Sequence, residues 1–122
     1  MTFVASDVLA KLPTMTRGQV DALDFGVVKM DDSGTIQLYN KYESELACVA
    51  PAHAEGKNFF TQIAPCTNNR MVYGKFNEGV QINKLDSLIP YTFTYKMQPT
   101  NVDLHLYRDV ATKTNWLLVK KK

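Results

Sequence analysis

The alternation of apolar and polar residues predicts a helical start to the chain followed by a β-hairpin. Val8, Leu9 and Leu12 lie at helical spacing within residues 1–25, which therefore read as a loosely helical segment. Residues 26–30 and 35–39 are short apolar runs on either side of an Asp-Asp-Ser-Gly sequence. Two such runs around turn-forming residues are typical of a β-hairpin.

The middle of the chain has helical character. Residues 40–60 read as short helical turns, because Pro51 and Gly56 interrupt any longer pattern. Residues 71–83 then place apolar side chains four positions apart, which predicts an amphipathic helix. Thr67 or Asn68 is expected to cap that helix, since both residue types accept hydrogen bonds from a first turn.

Three further strands are predicted at the end of the chain. Residues 89–97 alternate between apolar and polar over nine positions, and residues 102–107 also alternate. Residues 114–119 include Trp116 and end in a dense apolar run. With the hairpin, this makes five antiparallel strands with helices packed against one face. The fold class predicted from the pattern is α+β.

Length and composition predict one domain in a reducing compartment. The chain has 122 residues, which suits one hydrophobic core rather than two. No apolar run is long enough to span a bilayer, and the first residues lack the pattern of a secretory signal. Two cysteines, Cys48 and Cys66, without an export signal favour a cytoplasmic location with both thiols reduced.

Charge and motif spacing exclude several classes of function. The formal charge of +2 comes from three terminal lysines, because the rest of the chain has 11 basic and 12 acidic residues. Such a nearly neutral domain is not expected to bind nucleic acid, and no membrane partner is expected either. The sequence also lacks a phosphate-binding glycine loop and the ligand spacing of zinc or calcium sites, so no metal is predicted.

Cys66 is the candidate nucleophile. It lies in an Ala-Pro-Cys-Thr turn ahead of the predicted helix, where the positive end of a helix favours a thiolate. A thiolate is needed for catalysis and for covalent attachment of a group. The alternative is an inert buried thiol. A thiol enzyme needs a histidine partner, and the sequence places neither His53 nor His105 beside Cys66, so no catalytic residue is assigned.

Tyr39 and Glu43 form a second candidate pair. They are four residues apart, so a helical turn between them aligns their side chains. The alternative is a solvated carboxylate in the first turn of a short helix.

Several motifs in fixed order and spacing resemble one known family. They are Phe25-Gly26, Asp32-x-Gly34, Tyr39-Asn40-x-x-Glu43, Gly56-Lys57-Asn58-Phe59-Phe60, Ala64-Pro65-Cys66-Thr67, Tyr73-Gly74-Lys75-Phe76, Tyr91-Thr92-Phe93-x-Tyr95-x-Met97 and Trp116. Over nearly its whole length the chain resembles the photoactive yellow proteins, which are blue-light receptors of the PAS fold. The resemblance implies a single PAS photosensory domain over residues 1–122, with a helical cap at 1–25 and a core at 26–122.

The resemblance also implies a chromophore and its site. Cys66 is expected to carry one 4-hydroxycinnamic acid per chain as a thioester, with its own N–H facing the thioester carbonyl. Tyr39 and Glu43 are expected to hydrogen-bond the phenolate oxygen. The remaining pocket residues implied by the resemblance are Val28, Ala47, Val49, Phe59, Ile63, Thr67, Phe93, Tyr95 and Met97.

The family's response to light gives the implied function. Light is expected to isomerise the chromophore from trans to cis, after which Glu43 transfers its proton and the cap partly unfolds before thermal recovery. Phe3 and Lys120 match positions that bring the cap onto the last strand, through a cation–π contact. The receptor is expected to be a monomer without enzymatic activity, and its downstream signalling protein is not identified by the sequence.

Two positions depart from the family pattern. Ala47 replaces a common threonine that hydrogen-bonds the pocket tyrosine, and Val49 replaces a common arginine that covers the pocket. Without the threonine hydroxyl we expect Tyr39 to be a poorer donor, so that part of the dark-state chromophore is protonated. Val49 removes a positive charge that would shield the pocket. The alternatives to a light sensor are a PAS-type binding or interaction module without a chromophore and, less favoured, a thiol enzyme using Cys66.

Overall fold

The computed structural model describes residues 4–93 and 100–121 of the chain. Within these ranges, five antiparallel strands form one sheet in the order β2-β1-β5-β4-β3. The strands are β1 Gly26–Met30, β2 Ile36–Tyr39, β3 Asp86–Phe93, β4 Thr100–Asp109 and β5 Thr114–Lys121. The predicted antiparallel sheet and α+β class are confirmed.

Strand register follows the alternation seen in the sequence. Val28 of β1 pairs with Tyr39 of β2 on one side and with Leu117 of β5 on the other. β3 lies at an edge of the sheet and contains Pro90. An edge strand accommodates proline because its missing N–H is not needed for pairing on the open side.

Five helices flank the sheet within the described residues. They are α1 Ser6–Lys11, α2 Arg17–Asp21, α3 Lys41–Ala47, α4 Pro51–Ala54 and α5 Lys75–Ile82. Short 3₁₀ turns cover Leu12–Thr14 and Pro65–Thr67, and π-helical turns cover Phe59–Ile63 and Arg70–Gly74. Thr16 and Gln19 form a capping box that starts α2. No described helix is both long and apolar enough to cross a membrane.

The start of the predicted 71–83 helix differs from the sequence expectation. Its cap is Asn69, whose Oδ1 accepts from the Val72 N–H at 3.1 Å, rather than Thr67 or Asn68. The Thr67 hydroxyl is engaged elsewhere, because it donates to the Ala64 carbonyl at 2.6 Å within its own turn. The first turn after the cap is a π turn, and the α-helix itself begins at Lys75.

The sheet carries a hydrophobic cluster on each face. The pocket-face cluster includes Val28, Phe59 and Phe76 and is covered by the elements between β2 and β3. The cap-face cluster joins Leu12 and Val20 of the N-terminal segment to the sheet residue Trp116. The pattern-based expectation of helices on one face is therefore incomplete, because α1 and α2 cover the opposite face.

Candidate functional site

Tyr39 and Glu43 are buried where β2 ends and α3 begins. Tyr39 is the last residue of β2 and is 0% exposed, and Glu43 lies in the first turn of α3 and is 1% exposed. Asn40 caps α3 between them, with its Oδ1 accepting from the N–H of Glu43 at 3.1 Å and from the N–H of Val27 at 2.9 Å. The cap fixes the start of α3, and both side chains lie in the protein interior.

Each of these two side chains has a buried polar atom without a hydrogen-bond partner in the part of the chain that the structure describes. Neither the Tyr39 hydroxyl nor Glu43 Oε1 has a hydrogen-bond partner among residues 4–93 and 100–121. A buried polar atom without a partner costs about 1–3 kcal/mol, so such atoms are uncommon in native proteins. Two of them in one core indicate a place for the polar end of a ligand.

The electrostatics of the site keep both groups protonated at neutral pH. Burial raises the pKa of Glu43 from 4.5 to about 8, and the nearby Tyr39 hydroxyl opposes this rise in part. Burial, together with the Glu43 carboxylate, raises the pKa of Tyr39 above its ordinary value. A protonated carboxyl and a phenol are both O–H donors, so the pair suits an acceptor oxygen, above all an anionic one.

Gly26 makes room for the Glu43 carboxyl. A β-carbon at Gly26 would overlap Oε1 of Glu43 and would lie 3.1 Å from Cβ of Val119. The absence of a side chain at the first position of β1 therefore allows the acid to be buried against the sheet.

Cys66 lies in the 3₁₀ turn Pro65–Thr67 and packs, half-buried, against the pocket-face cluster. Its carbonyl oxygen accepts hydrogen bonds from the Tyr91 hydroxyl and from Asn69 Nδ2, the latter at 3.1 Å. Asn69 Nδ2 also donates to the Tyr91 hydroxyl at 2.6 Å. The turn that carries the thiol is thus attached both to β3 and to the cap of the following helix.

Comparison with known proteins gives the family. No protein-family model matches the chain. A photoactive yellow protein from Rhodothalassium salexigens is 40% identical over 119 residues, which are 98% of this chain and 95% of that protein. The chain belongs to the photoactive yellow protein family. A second member, from Halochromatium salexigens, is 34% identical over 98% of this chain and 95% of its own length.

Solved structures agree with this assignment. The photoactive yellow protein domain of the sensor histidine kinase Ppr from Rhodospirillum centenum superposes with a TM-score of 0.87 at 34% identity, covering 92% of this chain and 98% of that domain. The PAS domain of nitrogen regulation protein NR(II) from Vibrio parahaemolyticus gives a TM-score of 0.65 at 10% identity, covering 91% of this chain and 98% of that one. The second likeness shows the fold alone, and the predicted PAS fold is confirmed.

The structure brings together most of the pocket residues expected for a photoactive yellow protein. Four of the expected apolar residues lie in the same cluster as Tyr39, and two more expected residues pack against that cluster from half-buried positions. The first group is Val28, Val49, Phe59 and Ile63, and the second is Ala47 and Cys66. Thr67 is also buried. Tyr95, Met97 and the side chain of Phe93 lie outside the described residues, so their predicted roles stay predictions.

Lys120 is attached to the segment that precedes β1. Its Nζ donates to the Asp24 carbonyl at 2.7 Å and lies 5.8 Å from the centre of the Tyr42 ring. Phe3, its expected partner, lies outside the described residues, and that contact stays a prediction.

Sequence reasoning assigned no role at the site to Gly26, Asn40, Asn69 or Tyr91. Asn40 carries a local signal, because an asparagine directly before a helical pattern is a common N-cap. Tyr91 is part of the alternation in residues 89–97 and of one motif of the family resemblance, and neither gives it a contact with Cys66. The contacts that matter for Gly26 and Tyr91 join positions 17 and 25 residues apart in sequence, which periodicity does not report.

Proposed function

We propose that this chain is a blue-light photoreceptor that carries one 4-hydroxycinnamic acid as a thioester on Cys66. The observation that supports it most is that the Tyr39 hydroxyl and Oε1 of Glu43 are buried without a hydrogen-bond partner among the described residues, in the core that Cys66 also contacts. The phenol oxygen of 4-hydroxycinnamic acid is an acceptor of the kind that these donors lack. Membership of the photoactive yellow protein family supports the same conclusion.

The chain's own residues would hold the chromophore at its two ends. The Cys66 sulfur would hold the acyl end, and the Tyr39 hydroxyl and the Glu43 carboxyl would donate to the phenolic oxygen. A free phenol has a pKa of about 10, so two donors in an apolar core are needed to keep it ionised at neutral pH. When bound, the chromophore supplies the visible absorption and the light-driven isomerisation from trans to cis.

Glu43 is the proposed source of the signal. It holds its proton at neutral pH because burial raises its pKa to about 8. If that proton passed to the phenolic oxygen of the bound group, the carboxylate would be a buried charge with no opposite charge beside it among the described residues. An uncompensated buried charge costs several kcal/mol. That cost is comparable with the stability of a whole domain, about 5–15 kcal/mol. Partial unfolding follows, with residues 1–25 as the proposed cap that detaches from a core at 26–122.

The proposed receptor works as a monomer in the cytoplasm, without enzymatic activity, on a downstream signalling protein. The solved relative of 34% identity is a domain of a sensor histidine kinase, which supports a signalling partner. Cys48 and Cys66 are both free thiols, which fits a reducing compartment.

Loading of the apoprotein tests the proposal directly. An activated 4-hydroxycinnamate ester is mixed with the chain. The Cys66 sulfur is expected to displace the leaving group, with the thiol proton going to solvent. Intact mass should show one acyl group, and the product should have a visible band that bleaches in blue light and recovers in the dark.

The two cysteines provide a matched control for the loading experiment. Cys66→Ser should remove both the adduct and the band, whereas Cys48→Ser should remove neither, because Cys48 is exposed at the end of α3. An adduct on Cys48 instead of Cys66, or a Cys66 adduct that does not respond to light, would overturn the proposal.

A further inference from the structure

Arg17 of α2 forms a bidentate ion pair with Glu55, the residue that follows α4. Nη1 of Arg17 lies 2.8 Å from Oε2 of Glu55, and Nη2 lies 2.9 Å from Oε1. The two residues are 38 positions apart in sequence. Paired, parallel hydrogen bonds of this kind fix the relative orientation of the two side chains as well as their distance.

The same carboxylate also holds the backbone of Tyr39. Oε2 of Glu55 accepts a hydrogen bond from the Tyr39 N–H at 3.0 Å, in addition to the one from Arg17. This hydrogen bond is one of several between the two segments, because the residues after α4 run along the open edge of β2. There Gly56 donates to the Ile36 carbonyl at 2.8 Å, and Ile36 donates to the Lys57 carbonyl at 2.8 Å.

The next two residues after Tyr39 are bound directly by α2. Asn40 Nδ2 donates to the Val20 carbonyl at 3.0 Å. The Lys41 N–H donates to Oδ1 of Asp21 at 2.9 Å. The N-terminal segment therefore contacts three consecutive residues that begin at Tyr39, and at the first of them the contact passes through Glu55.

We propose that Glu55 is a positioning residue for Tyr39 and that its ion pair with Arg17 couples attachment of α2 to the position of the Tyr39 backbone. One carboxylate oxygen accepts from both Arg17 and Tyr39, so departure of α2 removes one of its two partners and frees the Glu55 side chain to move. Coupling of this kind is reciprocal, so displacement of Tyr39 also weakens attachment of α2. The role of this coupling in a light response rests on the proposed function.

The coupling should be modest and sensitive to salt. The Arg17 side chain is 51% exposed and that of Glu55 is 25% exposed, so solvent and ions screen their attraction. Exposed pairs of this kind change an opening equilibrium by about two- to fivefold. A small, screened contribution suits a segment that must detach and return.

Two variants separate the ion pair from the backbone contact. Glu55→Gln keeps an oxygen acceptor for the Tyr39 N–H but loses the charge that faces Arg17, whereas Glu55→Ala loses both. Glu45→Gln is the matched control, because Glu45 belongs to an exposed pair with Lys41, 4.0 Å apart, in which the side chains are 69% and 71% exposed.

The first measurement is made on the full chain before chromophore loading. Hydrogen exchange of the amides of residues 17–21 should accelerate about two- to fivefold in Arg17→Gln, Glu55→Gln and Glu55→Ala, and not in Glu45→Gln. Added salt should raise the exchange rates of the wild-type chain towards those of the variants. It should leave the exchange rates of Glu55→Gln unchanged. The NMR shift of the Tyr39 amide proton should move in Arg17→Gln and move further in Glu55→Ala.

The second measurement uses the loaded chain. The visible band should be displaced in Glu55→Ala and stay close to its wild-type position in Glu55→Gln. Exchange that rises without any change in the Tyr39 amide shift would mean that Glu55 only stabilises the fold, which overturns the positioning role. Unchanged exchange in all three variants overturns the coupling. Failure of the wild-type chain to load refutes the proposed function but leaves the exchange and NMR results in force.

Discussion

Gly26 and Glu43 occupy one corner of the core, since a β-carbon on Gly26 would overlap Oε1 of the Glu43 carboxyl. β1 and α3 therefore fit together at this position, because β1 has no side chain where the carboxyl group of α3 lies. The burial of Glu43, its raised pKa and its role in the proposed function all depend on that match.

Gly26→Ala should destabilise the protein and displace the Glu43 carboxyl. The added methyl carbon would also lie 3.1 Å from Cβ of Val119. A shift of the strand away from Glu43 therefore does not readily relieve the overlap. Inserting a methyl group into a well-packed core typically costs about 1–3 kcal/mol. Urea unfolding measures the loss, and the visible spectrum of the loaded chain should shift at the same time.

Gly18→Ala is the control for that substitution. The nearest atom to a β-carbon at Gly18 is the Thr16 hydroxyl oxygen, at 4.0 Å, and Gly18 lies inside α2. Alanine should stabilise the helix there by up to about 1 kcal/mol. Equal destabilisation by both substitutions would contradict the steric argument at Gly26.

The raised pKa of Glu43 predicts a pH dependence of stability. The folded protein binds this proton with a pKa of about 8, against 4.5 in the unfolded chain. The stabilising contribution of the neutral carboxyl is therefore complete below about pH 4.5 and is lost as the pH rises to about 8. Within that window the free energy of unfolding should fall by up to about 1.4 kcal/mol per pH unit.

Glu43→Gln removes this titration and should flatten the curve between pH 5 and pH 8. Urea unfolding of the chain without chromophore measures the free energy of unfolding at each pH. Glu45→Gln, which alters an exposed carboxyl, should retain the wild-type dependence. Parallel curves for the wild-type chain and Glu43→Gln would show that Glu43 is ionised in the folded protein.

Ala47→Thr should increase the ionised, long-wavelength fraction of the loaded protein. Ala47 follows Glu43 by one helical turn and packs against the pocket-face cluster, to which Tyr39 belongs. The Tyr39 hydroxyl lacks a hydrogen-bond partner among the described residues. A hydrogen bond to that hydroxyl is worth about 1 kcal/mol, or about fivefold in the ionisation ratio. A spectral pH titration measures the ratio.

Ala47→Val is matched in shape to Ala47→Thr and lacks the hydroxyl. Its titration midpoint should stay near that of the wild-type chain. If valine and threonine move the midpoint equally, packing rather than hydrogen bonding sets the ionisation.

Tyr91→Phe should loosen the turn that carries Cys66. The hydroxyl of Tyr91 donates to the Cys66 carbonyl, and its loss leaves Asn69 as the remaining described donor to that oxygen. The expected cost is about 1 kcal/mol of stability, with about fivefold faster alkylation of the thiol. Alkylation is followed in a Cys48→Ser background, so that a single thiol reacts.

Tyr107→Phe serves as the comparison for Tyr91→Phe. Tyr107 packs against the cap-face cluster, on the other side of the sheet from Cys66. Its substitution should leave the alkylation rate unchanged. An equal acceleration in both variants would indicate a global loss of stability instead of a local one at the turn.

The local pattern was sufficient to locate most of the strands, because side-chain direction in a strand depends on neighbouring positions alone. The hairpin strands, β4 and β5 lie within about two residues of their predicted bounds. β3 begins at Asp86 rather than at residue 89, and residues 94–97 of its predicted span lie outside the described residues. The π turn at Arg70–Gly74 was not predicted, because Val72 and Phe76 are four apart whether the intervening turn is α or π. The cap at Asn69 was not predicted, because spacing does not show that the Thr67 hydroxyl is engaged within its own turn.

The site was only partly predictable, for a different reason. Spacing aligned Tyr39 with Glu43, but it did not show whether Glu43 faces solvent or the core. That outcome is decided by Gly26, which is distant in sequence. The pairing of Arg17 with Glu55 had no local signal at all, since single charged residues near helix ends are common on any surface.

Val27 and Val28 of β1 are adjacent in sequence and belong to the two hydrophobic clusters on opposite faces of the sheet. Val28 belongs to the cluster around Tyr39, and Val27 belongs to the cluster beneath the N-terminal helices, with both side chains 0% exposed. In addition, the backbone N–H of Val27 is held by the same Asn40 side chain that caps the Glu43 helix. If the proposed function holds, no relay of residues through the interior is needed, because the proposed chromophore site and the segment proposed to detach contact opposite sides of one shared strand.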